Sequence, residues 1–453
     1  MPEDSKKNIT IIGGGLAGSL LSVYLAKKGF HVDVYERRPD MRKEGIEGGR
    51  SINLALSTRG IHALKEISLY DEIKKICIPM YGRMIHSFEG KLTFQRYGKD
   101  DSEYINSVSR AELNKSLMNL AEDYDNVNIH FGQRCKDMDF ETGGIIFHDE
   151  FKDIKHRLKP GTIIATDGSA SAVRKAMLRL PGFNFSQEYE NYGYKELNIP
   201  PGKNSTFVLE KNALHIWPRG SFMLIALPNI DGSFTCTLFL AYDRSLGEEN
   251  SFENIDSEQK LYLFFDKQFP DVLEMMPHLN DEFFNNPTGS LITIKCYPWS
   301  ADGKVCLLGD SCHAMVPFFG QGMNAAFEDC TYLNEHIGNF RTDWANIFDE
   351  FQKKRKPDTD AISELARENF IEMRDLVARP VFQLKKKIEA ELQKKYPGKF
   401  IPKYSMVTFH RIPYSEALRR GKVQDDILNK LSSGINTVEE TNWVLAEQLV
   451  NDL

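Results

Sequence analysis

The feature that most constrains the fold is a strand, a glycine loop, a helix and a second strand at the start of the chain. Residues 8–12 form a β-branched run, and Gly13, Gly15 and Gly18 follow it in the spacing G-x-G-x-x-G. A helical pattern comes next, and residues 32–36 predict a second strand. This order is typical of the βαβ unit that binds a dinucleotide, because its glycines let the backbone turn tightly and approach a pyrophosphate.

Two further features of this unit suit a nucleotide. The helix begins with N–H groups that have no partner within the helix, and these groups attract an anion. The second predicted strand ends at Glu36, whose carboxylate is placed to accept hydrogen bonds from a ribose. NAD(P) and FAD use the same unit, so this part of the sequence leaves the choice between them open.

A second glycine-bearing stretch favours FAD. Residues 305–308 predict a buried strand, which leads into Asp310, and Gly320 and Gly322 then precede a helical pattern. A carboxylate at a strand end can bind ribityl hydroxyls, and the glycines let the backbone and a helix N-terminus approach an anionic ring system. A plain NAD dehydrogenase has no use for such a second site.

The pattern of the chain predicts an α/β protein with a discontinuous organisation. Residues 58–76 and 110–123 predict amphipathic helices, and alternating aromatic-rich runs after residue 191 predict an antiparallel sheet. We expect an FAD-binding Rossmann-like domain of the glutathione-reductase type, an inserted β-sheet domain for the substrate and a C-terminal helical region. Their expected ranges are 1–75, 105–187 and 290–343 for the FAD-binding domain, 76–104 and 188–289 for the substrate domain, and 344–453 for the helical region.

Charge and cysteine usage exclude several classes of protein. The chain has 57 Lys and Arg against 64 Asp and Glu, a net charge of −7, which argues against a dedicated nucleic-acid binder. Its seven cysteines include no C-x-x-C pair and its histidines no H-E-x-x-H motif, so we expect neither a disulfide framework nor a metal site. The N-terminus lacks the pattern of a signal peptide and no stretch suits a membrane span, so a cytoplasmic protein is expected.

Several of these stretches together resemble a known family. Residues 13–18, 166–168 and 309–324 are similar to the three signatures of the single-component, FAD-dependent aromatic hydroxylases, also called class A flavoprotein monooxygenases. Further segments, spread over about residues 8–420, resemble the branch of this family that hydroxylates L-kynurenine. These segments are 49–56, 82–86, 97–98, 214–218, 317–324, 368–373 and 400–409.

The resemblance implies a set of residues that contact FAD. Those expected beside the diphosphate and the adenosine are Gly13, Gly15, Leu16, Ala17, Gly18, Glu36, Arg37 and Arg38. Those expected beside the flavin, its ribityl chain or the cofactor generally are Ala55, Arg110, Asp310, Gly322, Met323 and Asn324. One signature departs from the family's usual Gly-Ala-Asp-Gly, because Ala165 and Thr166 stand where glycine and alanine are common.

The resemblance also implies a pocket for an amino acid that carries an aniline ring. The residues expected to bind the amino-acid group are Arg83, Tyr97, Asn369 and Tyr404, and the expected apolar walls are Phe239, Pro317 and Phe318. These residue types suit such a ligand, because a guanidinium binds a carboxylate through two parallel hydrogen bonds and phenols donate hydrogen bonds from a rigid stem.

The activity implied is hydroxylation with NADPH and O₂ through a flavin C4a-hydroperoxide, with no side chain acting as acid or base. The sequence shows no NADPH site, lacks the hydrophobic C-terminal anchor of membrane-bound members, and is compatible with a monomer or a homodimer. Two alternatives remain. A related flavin enzyme, such as a halogenase, an epoxidase or another aromatic hydroxylase, shares the cofactor domain, and some prenyl-protein chaperones keep the fold as a binding module.

Overall fold

The computed structural model describes residues 7–43, 53–246, 249–340, 342–377 and 379–453, so residues 49–52 of the matched segment 49–56 lie outside the described residues. The strands are β1 (Asn8–Ile12), β2 (His31–Glu36), β3 (Asn53–Leu56), β4 (Cys77–Met80), β5 (Gly82–His86), β6 (Leu92–Arg96), β7 (Ile105–Ser109), β8 (Val127–Phe131), β9 (Gln133–Asp139), β10 (Gly144–Asp149), β11 (Ile154–Leu158), β12 (Thr162–Ala165), β13 (Asn184–Ile199), β14 (Ala213–Pro218), β15 (Met223–Pro228), β16 (Phe234–Ala241), β17 (Gly289–Tyr297), β18 (Ser300–Ala301) and β19 (Val305–Leu307).

The helices are α1 (Leu16–Lys27), α2 (Thr58–Glu66), α3 (Tyr70–Ile73), α4 (Arg110–Glu122), α5 (Ala172–Met177), α6 (Glu258–Gln268), α7 (Pro270–Leu273), α8 (Leu279–Asn285), α9 (Asp310–His313), α10 (Gly322–Phe340), α11 (Trp344–Ile371), α12 (Pro380–Lys395), α13 (Lys403–Thr408), α14 (Tyr414–Ser432) and α15 (Trp443–Asn451). A π-helical segment, Glu372–Leu376, follows α11 directly. Short 3₁₀ turns span Lys74–Ile76, Lys203–Ser205, Arg244–Leu246, Pro317–Phe319 and Val438–Glu440.

The first compact unit comprises residues 1–76, 108–188 and 292–363. Its main sheet has six strands in the order β18-β19-β12-β1-β2-β8, and β1 pairs in parallel with β2 on one side and β12 on the other. Every residue of β12, and all of β1 except its first, is buried, as expected for central parallel strands covered on both faces. Because β1 and β12 lie side by side, the loops that leave their carboxyl ends meet at one edge of the sheet.

The second compact unit comprises residues 77–107, 189–291 and 364–453. It contains most of a seven-stranded sheet in the order β17-β13-β16-β15-β14-β5-β6, in which β14 and β5 pair in parallel. The alternating, aromatic-rich runs of the sequence become β14, β15 and β16, which pair in antiparallel order as the pattern predicts. One face of these strands packs against α6 to α8 in a core that includes Trp217, Phe234 and Phe265.

The C-terminal part of the chain is helical but is not a unit of its own. Residues 344–363 group with the first unit and residues 364–453 with the second, so the expected region 344–453 divides within α11. Helices α12, α14 and α15 share a small core around Ile388 and Leu392. Among the described residues, no helix is both long enough and apolar enough to span a bilayer.

Candidate active site

The glycine loop after β1 is shaped by close backbone contacts. Gly13 adopts φ +103°, a left-handed conformation that favours glycine, and its N–H donates to the carbonyl of Tyr35 at 2.8 Å. A Cβ on Gly18 would lie 2.0 Å from the carbonyl oxygen of Gly13, so any larger residue there would displace the loop. A Cβ on Gly15 would meet nothing within 4 Å, so this glycine faces open space.

Glu36, at the end of β2, is buried and holds the loop in place. Its Oε2 accepts from the N–H of Gly14 at 2.8 Å, and its Oε1 accepts from the backbone and side chain of Arg38 at 2.9 and 2.8 Å. Burial raises the pKa of Glu36, but the hydrogen bonds and charge of Arg38 outweigh it and leave the pKa below its usual value. The carboxylate is therefore ionised and retains lone pairs for a ribose hydroxyl, whereas Arg37 is exposed.

A shallow open cleft lies in front of the loop, within the first unit. Helix α1 begins there with no side-chain cap, so its first N–H groups face the cleft without side-chain acceptors. Arg110 begins α4 at the same cleft and is exposed. The lining residues are Gly15, Leu16, Arg38, Met41, Arg110, Ala111 and Asn114, of which four were expected from the sequence to contact the cofactor.

The turn after β12 explains the unusual threonine. The Oγ1 atom of Thr166 donates to the carbonyl of Gly13 at 2.7 Å, which ties this turn to the glycine loop. Asp167 follows, and its Oδ2 accepts from the N–H of Ala172 at 2.7 Å, at the start of α5. Burial raises the pKa of Asp167, whose Oδ1 has no hydrogen-bond partner among the described residues. The departure from the family signature thus adds a contact and keeps the turn.

The predicted flavin loop joins β19 to α10. Asp310 is exposed three residues after β19, at the start of α9, where its carboxylate is accessible to a ligand. Asn324 is fully buried: its Oδ1 accepts from the N–H of Ser57 at 2.9 Å, and its Nδ2 donates to the carbonyls of Ala55 and Gly320 at 2.8 and 2.9 Å. Its side-chain amide therefore fastens two loops together.

Two more predicted cofactor residues, Gly322 and Met323, lie at the start of α10. A Cβ on Gly322 would meet nothing within 4 Å, and Met323 is half-buried in the first turn. Gly320 adopts φ +63°, and a Cβ there would lie 2.9 Å from the Cβ of Ala55. The backbone is thus open at Gly322 and closely packed at Gly320. Leu16 and Ala17, in the first turn of α1, are half-buried.

A buried ionic network supports this loop from within the first unit. The Nε of Arg355 donates to Oδ1 of Asp329 at 2.7 Å, and its Nη1 donates to Oε2 of Glu328 at 2.9 Å. Asp329 also accepts from the N–H of Gly309 at 3.2 Å and contacts Nε2 of His313 at 2.5 Å. Because Gly309 immediately precedes Asp310, the network fixes the backbone from which that carboxylate projects. No local pattern in the sequence indicates this network.

These observations fit FAD. The uncapped helix, the open face at Gly15 and the cleft provide room and N–H donors for a diphosphate. Glu36 at the end of β2 and Asp310 at the start of α9 present carboxylates of the kind that ribose and ribityl hydroxyls bind. No group of His, Cys, Asp or Glu within the described ranges could hold a metal ion.

Within the second unit, Arg83 lies beside two aromatic rings. Its guanidinium carbon is 5.6 Å from the ring centroid of Tyr97 and 5.4 Å from that of Tyr404. The two rings stack on each other, with centroids 5.2 Å apart and planes 10° apart. Arg83 is 6% exposed, and its Nε has no hydrogen-bond partner among the described residues. A buried guanidinium with an unused donor is able to accept a carboxylate as a partner.

One acidic residue at this site was not predicted from the sequence. Oε1 of Glu372, the first residue of the π-helical segment, lies 3.4 Å from Nη1 of Arg83. Burial raises the pKa of Glu372, but Lys386, Arg83 and Lys403 outweigh it and lower the pKa below its usual value. The matched segment 368–373 includes Glu372, but a glutamate in a helical, charged run is more typical of a solvated face. π-Helical segments frequently mark functional sites.

The other predicted pocket residues lie on α11, on β16 and in the loop before α10. Asn369 is buried in the last turn of α11, where its Nδ2 contacts the sulfur of Met373 at 3.4 Å. Phe239 is buried on β16. Pro317 is exposed and Phe318 is buried, and both belong to the first unit, so their contribution to the pocket stays a prediction.

Comparisons with known proteins show the family of the chain. The family model described as an FAD binding domain matches residues 6–262 and 293–366. The curated kynurenine 3-monooxygenase of Myxococcus xanthus is 48% identical over 451 residues, covering 99% of this chain and 96% of the relative. That of Dictyostelium discoideum is 46% identical over 458 residues, covering 98% and 97%. A solved structure of 2-methyl-3-hydroxypyridine-5-carboxylic acid oxygenase has a TM-score of 0.66 at 18% identity, covers 84% of this chain and 95% of that one, and supports the fold.

Proposed function

The chain belongs to the kynurenine 3-monooxygenase family of FAD-dependent monooxygenases, and from this premise we propose that it converts L-kynurenine to 3-hydroxy-L-kynurenine. NADPH supplies the electrons and O₂ supplies the oxygen atom. The observation that carries the choice of substrate is the unsatisfied donor of Arg83, which is buried beside Tyr97 and Tyr404. The names of the relatives support the same substrate.

The carboxylate of an amino acid suits Arg83 for an energetic reason. Leaving a buried charged donor without an acceptor costs about 1–3 kcal/mol, and a bound carboxylate recovers this cost. Burial raises the pKa of both Tyr97 and Tyr404, so the two phenols keep their protons and can donate hydrogen bonds to the same group. Asn369 would complete this end of the pocket, as its position in the family motif implies.

The ammonium group of the substrate suits Glu372. Its carboxylate is ionised, it lies 3.4 Å from Arg83, and its side chain is one-fifth exposed. A zwitterion can therefore place its carboxylate on Arg83 and its ammonium on Glu372. Each charge of the ligand then faces a side chain of opposite charge. This arrangement favours a free α-amino acid over a simple phenol or a benzoate, and it argues against the other flavin hydroxylases as alternatives.

The protein's part in the reaction is to bind, orient and shield. The chemistry supplied by FAD, when bound, is acceptance of a hydride from NADPH and delivery of one oxygen atom of O₂ to the ring carbon ortho to the aniline nitrogen. The aniline nitrogen activates that carbon, so no side chain needs to act as a general acid or base. The amino-acid group held by Arg83 and Glu372 would fix the position of the ring, and Phe239 would supply an apolar wall that limits water.

NADPH oxidation by the purified FAD-loaded protein tests the proposal. We expect L-kynurenine to stimulate NADPH oxidation and the α-carboxamide of kynurenine, which lacks the carboxylate, to stimulate it far less. Equal stimulation by both compounds would contradict the role of Arg83. Protein that is colourless and does not take up FAD would instead favour a binding module without flavin. A cytoplasmic location and a monomeric or homodimeric state stay predictions.

A further inference from the structure

Two walls of the cofactor cleft come from separate elements of the first unit. One wall is the segment 37–43, named the β2 loop below, and the other is helix α4. The loop contributes Arg38 and Met41 to the lining, and the helix contributes Arg110, Ala111 and Asn114. The Nδ2 atom of Asn114 lies 3.8 Å from the sulfur of Met41 and donates to the carbonyl of Gly14 at 3.2 Å. The position of the β2 loop against α4 therefore affects both the cleft and the glycine loop.

The side chain of Arg42 joins these two walls. Its Nε and Nη2 donate to Oδ1 and Oδ2 of Asp40 at 2.8 and 2.9 Å, the two parallel bonds that a guanidinium makes with a carboxylate. Its Nη1 donates to Oε2 of Glu122 at 2.6 Å and to Oδ1 of Asn119 at 3.1 Å, both on α4. Its guanidinium carbon also lies 5.6 Å from the ring centroid of Phe131, at the end of β8. One side chain thus contacts its own loop, helix α4 and a strand of the main sheet.

The geometry of Arg42 makes this link stronger than an ordinary surface ion pair. An isolated surface pair contributes little to stability, but a bidentate arginine within a network is the exception. The Arg42 side chain is 18% exposed, so water competes only in part for its partners. Its guanidinium is engaged by four hydrogen bonds to the protein, and the residues that line the cleft do not include it. Arg42 therefore acts on a ligand in the cleft through its neighbours.

We propose that Arg42 is a positioning residue for FAD: by linking the β2 loop to α4, it holds the two walls of the cleft together and slows the release of the bound cofactor. The residues it positions are Arg38 and Met41, which lie within four residues of it and line the cleft. This inference rests on the FAD site of the proposed function and is independent of which molecule is hydroxylated. It adds a residue that lies outside every segment on which the family resemblance was based.

Exchange of bound FAD tests the proposal on the FAD-loaded protein without substrate. The measurement is the rate at which bound FAD is replaced by an excess of isotopically labelled FAD, together with the melting temperature of the FAD-free protein. For Arg42→Met we expect release to become about tenfold faster, because the charge-assisted hydrogen bonds between the two walls are lost. A role confined to folding would lower the melting temperature and leave the release rate unchanged. That result would overturn the proposal.

Glu122→Met separates a link between the walls from a direct contact of Arg42 with FAD. Glu122 is exposed and is not part of the lining, and its removal leaves the bonds between Arg42 and Asp40 in place. We expect release to become about threefold faster, since Asn119 still accepts from Arg42. The double variant should release FAD no faster than Arg42→Met alone, because both substitutions break the same link. Unchanged release in Glu122→Met, or effects that add in the double variant, would overturn the proposal.

Lys115→Met is the matched control, because Lys115 forms an ion pair on the same helix, with Glu112 at 2.9 Å, that joins two residues of α4 to each other. It should leave the release rate unchanged, and acceleration equal to that of Arg42→Met would overturn the role of Arg42. The assay contains no L-kynurenine, so its outcome does not depend on the substrate. A wrong substrate would show instead as FAD exchange that follows these expectations in a protein whose NADPH oxidation L-kynurenine does not stimulate.

Discussion

The Nη1 atom of Arg83 lies 3.4 Å from Oε1 of Glu372, and yet the Nε of the same guanidinium has no acceptor among the described residues. The arginine is thus neutralised by a neighbouring carboxylate while part of its hydrogen-bonding capacity is unused. The pair comes from distant parts of the sequence, since Arg83 lies on β5 and Glu372 follows α11. A zwitterionic ligand satisfies both members at once.

Replacing Arg83 should weaken substrate binding without affecting the cofactor. In Arg83→Ala we expect kcat/KM for L-kynurenine to fall by a factor that corresponds to about 2–4 kcal/mol, because the substrate carboxylate loses its buried partner. FAD content, measured by absorbance, should stay at the wild-type level. Arg96→Ala is the control, because Arg96 lies on the neighbouring strand and is exposed. A variant that lost FAD and kept its affinity for L-kynurenine would show that the pocket is misassigned.

Two glycine substitutions should separate cofactor binding from folding. A Cβ in Gly18→Ala would collide with the carbonyl of Gly13, so we expect the melting temperature of the FAD-free protein to fall, and FAD binding with it. A Cβ in Gly15→Ala meets only open space, and its backbone at φ −75° suits alanine. That variant should melt like the wild type without FAD and bind FAD more weakly. Normal FAD affinity in Gly15→Ala would contradict the position of the diphosphate.

Removal of Arg355 should destabilise the first unit strongly. Arg355→Met leaves the buried carboxylates of Glu328 and Asp329 without their main cation, and breaking a buried ion pair in this way costs about 3–5 kcal/mol. The measurement is the urea midpoint of the FAD-free protein. Lys354→Met, which changes an exposed neighbour, should leave the midpoint unchanged. Equal midpoints for the two variants would mean that the network contributes nothing to stability.

His215 should make the protein less stable in acid. Burial lowers the pKa of His215 to about 4, against an ordinary value of about 6.5. The unfolded chain therefore takes up a proton first as the pH falls, and stability is lost between about pH 6.5 and 4, by about 3 kcal/mol. His215→Gln has no such group, so its unfolding free energy should fall less over this window. Parallel pH curves for the two proteins would contradict the assignment.

The first βαβ unit could be predicted from the sequence, because its strands, glycines and acidic strand end are all local signals. The break after α2 could not. Residues 58–76 were expected as amphipathic helix, but α2 ends at Glu66 and Ser68 adopts φ +60°, so that α3 starts separately at Tyr70. A serine carries no sequence signal for this conformation.

In the candidate site too, local sequence signals predict some residues, whereas others are defined by contacts between distant parts of the chain. Glu36 and Asp310 were predicted from their positions beside strands, and the structure places Glu36 as the last residue of β2 and Asp310 three residues after β19, at the start of α9. Glu372 and the network around Arg355 were missed, because the sequence does not show which charged residues of a helix face inward. The π-helical register at Glu372 and the pairing with residues far along the chain appear only in three dimensions.

The origin of the oxygen atom in the product tests the central claim most directly. FAD-loaded protein is incubated with L-kynurenine, NADPH and ¹⁸O₂, and the product is examined by mass spectrometry. We predict 3-hydroxy-L-kynurenine that carries one ¹⁸O atom, formed in step with NADPH consumption. Unchanged L-kynurenine, with NADPH consumed only to make hydrogen peroxide, would contradict the proposed function.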